Sequence, residues 1–191
     1  MGEQLDARRW MEEALAEARA ALARREVPVG CVVVLRGGVV VGRGGNEVNE
    51  LGNATRHAEL VALDKMHAAI ERARAARRRG LPAPTASAGD AMLAEFDTLE
   101  AAAAHCELFV TCEPCVMCAA ALQAVGIARV HYGCANERFG GCGSVVQAAP
   151  GLRVEAGALA DEAVALFKQF YDRDNPQSKA VLVAALEKAA A

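Results

Sequence analysis

Aromatic residues and long apolar runs are scarce in this sequence. Phe, Trp and Tyr make up 4% of the 191 residues, and much of the 53% apolar content is alanine, which buries little surface. No stretch approaches the roughly 18 apolar residues that span a bilayer, and the charged start MGEQLDARRWMEE lacks the apolar segment of a signal peptide. We therefore expect one folded domain that lies in the cytoplasm, the nucleus or both.

An excess of positive charge is also absent. The formal net charge is -3, so the chain as a whole does not attract nucleic acid or an anionic membrane. Local charge still allows such contacts, and RARAARRRG at 72–80 is a basic run. For this run we favour a solvated helix end, where the helix dipole stabilises cations, over a patch that contacts phosphates.

Regular cysteine spacing is missing as well. Seven cysteines are an odd number and nothing indicates secretion, so we expect reduced thiols. In TCEPCVMCAAAL, Cys115 and Cys118 allow four interpretations: a disulfide, core thiols, a redox pair or two metal ligands. Of the remaining, scattered cysteines, three lie in or beside apolar strands, where a cysteine is usually a small hydrophobe. These three are Cys106, Cys112 and Cys134.

Hydrophobic periodicity predicts alternating helices and strands. The predicted helices are 6–25, 57–70 with its basic extension, 115–125 and 161–172, and the predicted strands are 31–35, 39–41, 107–111 and 128–132. This alternation is typical of an α/β layered domain, which we place at residues 1–172. Residues 80–104 are predicted as an inserted loop with a short helix after Gly89. Residues 173–191 form a tail with a helical pattern, interpreted as a docking helix.

The pair Cys115 and Cys118 matches half of a metal site. Three residues apart on a helix, the two side chains share a face and can bind one ion. The helix start also favours thiolate over thiol. Two thiolates are only half of a tetrahedral zinc site, and the chain has no second compact pair elsewhere to complete it. His57, at the start of the second helix, is the candidate third ligand, which leaves one position open as in a catalytic zinc site.

Glu59 follows His57 by two residues, so on a helix its side chain points nearly the opposite way. It is therefore not a second ligand from the same turn, but a carboxylate beside activated water is placed to take up a proton and pass it on. Alone, His57 would be an ordinary helix-start residue and Glu59 a partner of the helix dipole. HxE followed by PCxxC on the next strand–helix unit is much rarer, and it favours the catalytic zinc.

With the segments HAE and PCVMC, the chain resembles the zinc-dependent nucleoside and nucleobase deaminases. Five longer segments resemble the tRNA adenosine deaminases. They are EVPVGCVVV, GRGGNEVN, NATRHAELVALD, LFVTCEPCVMCAAAL and YGCANERFGGCGSV. The resemblance is strongest to the catalytic subunit of the eukaryotic two-subunit enzyme that makes inosine at the anticodon wobble position. Apart from an insertion at 72–104, it extends from about Met11 to Asp172.

The resemblance implies a three-layer cytidine-deaminase-like fold, with a mixed five-stranded sheet between helices and both metal-binding segments at helix starts. It also implies one catalytic zinc ion. The implied site residues are the zinc ligands His57, Cys115 and Cys118, the proton shuttle Glu59, the base-binding Asn46, the pocket-lining Val29 and the backbone of Ala58.

The implied partners are the tRNA anticodon arm and a noncatalytic homologous deaminase subunit. Similar catalytic subunits often end in a lysine-rich tail, whereas residues 173–191 contain only Lys179 and Lys188. Together with the charge of -3, this predicts that most of the tRNA affinity comes from the partner subunit.

Two other functions compete with this one. A deaminase of free cytosine, guanine or deoxycytidylate would use the same metal motif, but the NERFGGCGSV segment and the loop of Asn46 argue against it. A noncatalytic zinc-bearing scaffold subunit is the other alternative. We expect such a protein to have lost the proton-shuttling carboxylate, and Glu59 is present.

Overall fold

A computed structural model of the chain describes residues 6–82 and 87–172. The tail at 173–191 lies outside the described residues, so its docking helix stays a prediction. Within the two described ranges, no helix has both the length and the apolar character needed to cross a membrane.

Five strands form one mixed sheet in the spatial order β2-β1-β3-β4-β5. The strands are β1 (Gly30–Leu35), β2 (Val39–Gly45), β3 (Cys106–Cys112), β4 (Arg129–Cys134) and β5 (Val154–Ala156). Strand β1 is antiparallel to both β2 and β3, whereas β3, β4 and β5 are parallel to one another. The expected mixed five-stranded sheet is confirmed.

Helices cover both faces of this sheet. They are α1 (Ala7–Ala23), α2 (Val48–Leu51), α3 (Ala58–Arg78), α4 (Ala88–Leu93), α5 (Leu99–Ala103), α6 (Val116–Val125) and α7 (Ala160–Tyr171). One core cluster joins the sheet to α3, α4, α5 and α6, and two others join it to α1 and α7. The result is the expected three-layer α/β fold.

Strand β1 shows why the apolar run of the sequence is a central strand. All six of its residues are buried, and alternate side chains point to opposite faces. Cys31 and Val33 belong to the core under α3, whereas Val32 and Val34 belong to the core under α1. A strand with helices on both sides is apolar on both sides, as predicted.

Strand β2 is longer than the predicted 39–41 because its glycines pair with β1 as well. Gly44 has a second role, since a Cβ placed on it would lie 2.3 Å from the carbonyl oxygen of Ala58. Only a residue without a side chain allows the start of α3 to approach the strand this closely. This contact fixes the position of the residue that precedes α3, His57.

The inserted segment at 80–104 contains two short helices where the sequence predicts a loop with one. The side chain of Ser87 accepts a hydrogen bond from the Asp90 N–H at the start of α4, and Thr98 accepts one from the Ala101 N–H at the start of α5. Such N-caps satisfy helix donors that otherwise lack a partner. Two caps in the insertion therefore explain two helices.

The basic run at the end of α3 binds this insertion. Arg77 Nη2 lies 2.8 Å from Asp97 Oδ1, and Arg72 Nη2 lies 3.5 Å from Asp90 Oδ1. Gly89 lies directly against β2, because a Cβ there would be 2.4 Å from the Val40 carbonyl oxygen. Arg72 and Arg77 therefore bind acidic side chains of the same chain, a role that neither interpretation of the basic run anticipated.

Candidate metal centre and active site

His57 lies just before the first turn of α3, with an extended backbone at φ -78° and ψ 155°. Its own side chain does not cap the helix. Instead, Oδ1 of Asn46 accepts the N–H of Ala58 at 2.9 Å. Because another residue caps the helix, the imidazole of His57 is free to face the segment that carries Cys115.

Cys115 occupies the corresponding position before α6, and Cys118 lies in the first turn of that helix. Nδ1 of His57 lies 3.5 Å from Sγ of Cys115 and 3.6 Å from Sγ of Cys118. Among the described residues, these three side chains are the one group of three or more His, Cys, Asp or Glu whose ligand atoms all lie within 4.8 Å of one another.

These distances fit a bound zinc ion. Zn–N bonds of about 2.0 Å and Zn–S bonds of about 2.3 Å at tetrahedral angles separate the nitrogen and sulfur ligands by about 3.5 Å. One imidazole and two thiolates are also ligand types that zinc prefers. The cluster can therefore hold the ion without rearrangement of the chain.

The electrostatics of the cluster favour a thiolate. A hydrogen bond from the Cys118 thiol, joined by one from His57 and opposed by burial, lowers the pKa of Cys115 to about 4. Donating that bond, together with burial, raises the pKa of Cys118. Without metal one sulfur thus holds the proton for both, and metal binding releases it.

Glu59 is buried against this cluster, with 3% of its surface exposed. Burial raises the pKa of its carboxyl group to about 7, although a hydrogen bond from its own backbone N–H opposes the rise. Its oxygens are not part of the three-residue ligand group. A carboxyl group with a pKa near 7 exchanges protons readily at neutral pH, as a general acid–base requires.

The three residues expected at the base pocket lie together beside His57. The Asn46 N–H donates to the Val29 carbonyl at 3.2 Å, and the Asn46 side chain accepts from Ala58. The Ala58 N–H is therefore already bonded within the chain, and a base that accepted from it would replace Asn46 Oδ1. The amide NH2 of Asn46 is the donor that this arrangement leaves for a ligand.

Glu113 is a site residue that the sequence analysis missed. Its buried carboxylate accepts backbone N–H groups from Asn136 at 2.9 Å, Cys142 at 3.0 Å and Ser144 at 3.2 Å. Burial alone would raise the pKa of Glu113, but these hydrogen bonds outweigh it and hold the pKa below its usual value. An acidic residue at the end of an apolar strand, directly before PCxxC, was the available signal.

The glycine-dense loop folds around this carboxylate. A Cβ on Gly140 would lie 2.6 Å from Glu113 Oε2, so only glycine fits there. Two backbone hydrogen bonds join the same loop to the start of α6. The Val116 N–H donates to the Phe139 carbonyl, and the Gly141 N–H donates to the Pro114 carbonyl. Glu113 thereby connects the loop at 136–144 to the segment that carries Cys115.

Replacement of Glu113 by alanine is expected to lower the free energy of unfolding by about 3 kcal/mol, because three backbone donors lose a charged acceptor. Urea unfolding of the zinc-loaded chain measures this. Glu137→Ala removes an exposed carboxylate from the same loop and is the matched control, with little expected change. Equal unfolding curves for the two variants would contradict the role of Glu113.

Comparisons of the sequence with family models and with known proteins point to the same family. Residues 5–134 match the model of the cytidine and deoxycytidylate deaminase zinc-binding region. The tRNA-specific adenosine deaminase 2 of Danio rerio is 41% identical over 180 residues, which cover 88% of this chain and 72% of that protein. The tRNA-specific adenosine deaminase subunit tad2 of Schizosaccharomyces pombe is 38% identical over 181 residues, which cover 89% and 39%.

Solved structures agree on the fold. A structure from a study of A-to-I editing by tRNA:A34 deaminases at the wobble position matches with a TM-score of 0.59 and 31% identity, covering 83% of this chain and 98% of that one. Guanine deaminase from Nitrosomonas europaea matches with a TM-score of 0.62 and 23% identity, covering 89% and 87%, which supports the fold alone. The chain therefore belongs to the zinc-binding cytidine and deoxycytidylate deaminase family and, within it, to the tRNA-specific adenosine deaminases.

Proposed function

We propose that the chain deaminates adenosine to inosine at the wobble position of tRNA anticodons, as the catalytic subunit of a heterodimer. The observation that carries this proposal is the convergence of His57, Cys115 and Cys118 beside the buried carboxyl of Glu59. The tRNA-specific relatives, at 38 to 41% identity, supply the substrate class.

The reaction consumes water and releases ammonia, so protons must move between the water, the ring and the leaving amino group. His57, Cys115 and Cys118 would hold one zinc ion. When bound, zinc supplies Lewis-acid activation of water at neutral pH. Glu59 takes the proton from water onto its carboxylate, delivers it to N1 of the adenine ring and then assists the departure of the amino group.

The residues around His57 orient the base. The amide NH2 of Asn46 donates to the adenine, and the side chain of Val29 forms part of the apolar wall. The backbone N–H of Ala58 is bonded to Asn46, whose own N–H is bonded to the Val29 carbonyl. A base held this way is kept close to Glu59, and such positioning accounts for much of the rate of enzymatic reactions.

A noncatalytic homologous subunit is proposed to supply most of the tRNA affinity. Several arginines of this chain bind its own acidic side chains, among them Arg43 with Glu13 at 2.9 Å and Arg129 with Glu155 at 2.8 Å. Cations paired in this way release fewer counterions when they approach a phosphate backbone. With a net charge of -3, the chain alone is expected to bind tRNA weakly.

The test is to assay the chain alone and co-purified with a candidate homologous subunit. The substrate is a tRNA with adenosine at the wobble position, and a tRNA with guanosine there is the control. We expect inosine, measured by nucleoside mass spectrometry, from the complex and little from the chain alone, and none after zinc chelation.

Free cytosine, guanine and deoxycytidylate are assayed in parallel for ammonia release. Release from any of these without inosine in tRNA would replace the proposal by a free-substrate deaminase. A zinc-loaded complex that deaminates none of the substrates would indicate a noncatalytic scaffold.

A further inference from the structure

Two cysteines outside the metal cluster lie side by side at the ends of neighbouring strands. Cys112 on β3 and Cys134 on β4 are partners in the parallel register. Register partners point to the same face, and neighbouring strands are about 4.8 Å apart. That spacing lies within the roughly 4.4–6.8 Å between Cα atoms that a disulfide spans.

The two side chains are neighbours in the core. The Cys134 thiol donates a hydrogen bond to the Thr111 carbonyl oxygen at 3.6 Å, and the interaction between the two sulfurs shifts their pKa values in opposite directions. Both side chains belong to the small core cluster under α7. Among the described residues, no further His, Cys, Asp or Glu joins them to complete a metal site.

Access distinguishes this pair from an ordinary core pair. Both cysteines line a cleft of about 480 Å³, whose wall includes Asn136, Phe167 and Tyr171. Cys112 and Cys134 are 9% and 8% exposed, whereas Cys31 and Cys106 are fully buried. A small oxidant in the cleft therefore reaches the pair without unfolding of the chain.

We propose that Cys112 and Cys134 are a redox modification site that converts to an intramolecular disulfide when a peroxide enters the cleft. In the first step, the sulfur of Cys134 attacks one peroxide oxygen, the O–O bond breaks, and a sulfenic acid and water form. In the second step, the sulfur of Cys112 attacks the sulfenic sulfur, the S–O bond breaks, and a second water leaves. Two thiols thus give two electrons to one hydrogen peroxide, and a dithiol reductant reverses the change.

The order of attack follows from the local environment. The neighbouring Cys112 thiol lowers the pKa of Cys134, against the effect of burial. The same pairing, together with burial, raises the pKa of Cys112. The thiolate is the nucleophile, so Cys134 reacts first and Cys112 resolves the intermediate.

Peptide mapping of the full-length, zinc-loaded chain tests the site. After limited hydrogen peroxide, free thiols are alkylated and the chain is digested with trypsin, which places Cys112 in residues 80–129 and Cys134 in residues 130–138. Fragmentation at the bond between Glu113 and Pro114 then separates Cys106 and Cys112 from Cys115 and Cys118, and the Cys106→Ser variant distinguishes the first two. We expect most of Cys134 in a peptide linked through Cys112, and its release by dithiothreitol.

Variants provide the matched controls. Cys134→Ser and Cys112→Ser should abolish the linked peptide, and in Cys112→Ser the sulfenic acid of Cys134 should persist. Cys106→Ser changes a buried thiol of the same strand and should leave the link intact. The proposal is overturned by a link from Cys134 to any other cysteine, or by a free Cys134 at peroxide levels that already oxidise Cys142.

Discussion

Replacement of Glu59 by glutamine is expected to lower kcat/KM for deamination by about 10³-fold, within the range that a general acid–base contributes. Glutamine keeps the shape of the side chain but cannot take up a proton from water. The ligand group of His57, Cys115 and Cys118 is unchanged, so the variant should still bind zinc. Single-turnover inosine formation and zinc content, measured on the same preparation, separate the two effects.

Glu71→Gln is the matched control for Glu59→Gln. Glu71 lies on the same helix, α3, but is exposed and bonded to Arg74. Its replacement should leave kcat/KM within twofold of the wild type, or about 0.4 kcal/mol in the barrier. Near wild-type activity in Glu59→Gln with full zinc content would contradict the role of Glu59 as the proton shuttle.

Replacement of His57 by alanine is expected to remove both zinc and activity. The two remaining sulfurs, of Cys115 and Cys118, hold a tetrahedral zinc ion less tightly than three ligands do. Mutation of a residue that merely hydrogen-bonds to a metal ligand already lowers the affinity for the metal about 10- to 100-fold. We therefore expect less than a tenth of the wild-type zinc after dialysis against a weak chelator, an order-of-magnitude estimate on the same basis. Inosine formation should fall below detection.

His67→Ala is the control for this second variant, because His67 is an exposed histidine on the same helix. It should retain zinc and activity. A His57→Ala chain that kept its zinc through dialysis would show that the ion is held elsewhere, and the proposed site would be wrong.

The metal cluster was the most predictable part of this molecule because its signals are local. A cysteine pair at helical spacing, behind Pro114, indicates both the helix and the shared face, and HxE indicates a second helix start. The approach of the two helix starts is a property of the sheet, because α3 and α6 pack on the same face of it, which the spacing alone does not give. That part of the prediction rested on the resemblance to the deaminases.

The missed features depend on contacts between distant parts of the chain. Strand β5, Val154–Ala156, has three residues, which is too few for an alternating pattern to be recognised, and it is a strand because it pairs with β4. The contact of Cys112 with Cys134 depends on the register of two parallel strands. Sequence patterns do not fix such a register, so each cysteine was interpreted as an isolated small hydrophobe.

The inserted helix α4 has a consequence for the outer edge of the sheet. Strand β2 is the outermost strand on its side of the sheet, and an uncovered outer strand is a template on which a second molecule can add its own strand and begin aggregation. The close approach of Gly89 to the Val40 carbonyl places the chain's own backbone against this strand at that point. The extra residues thus leave less of the strand available to a second molecule.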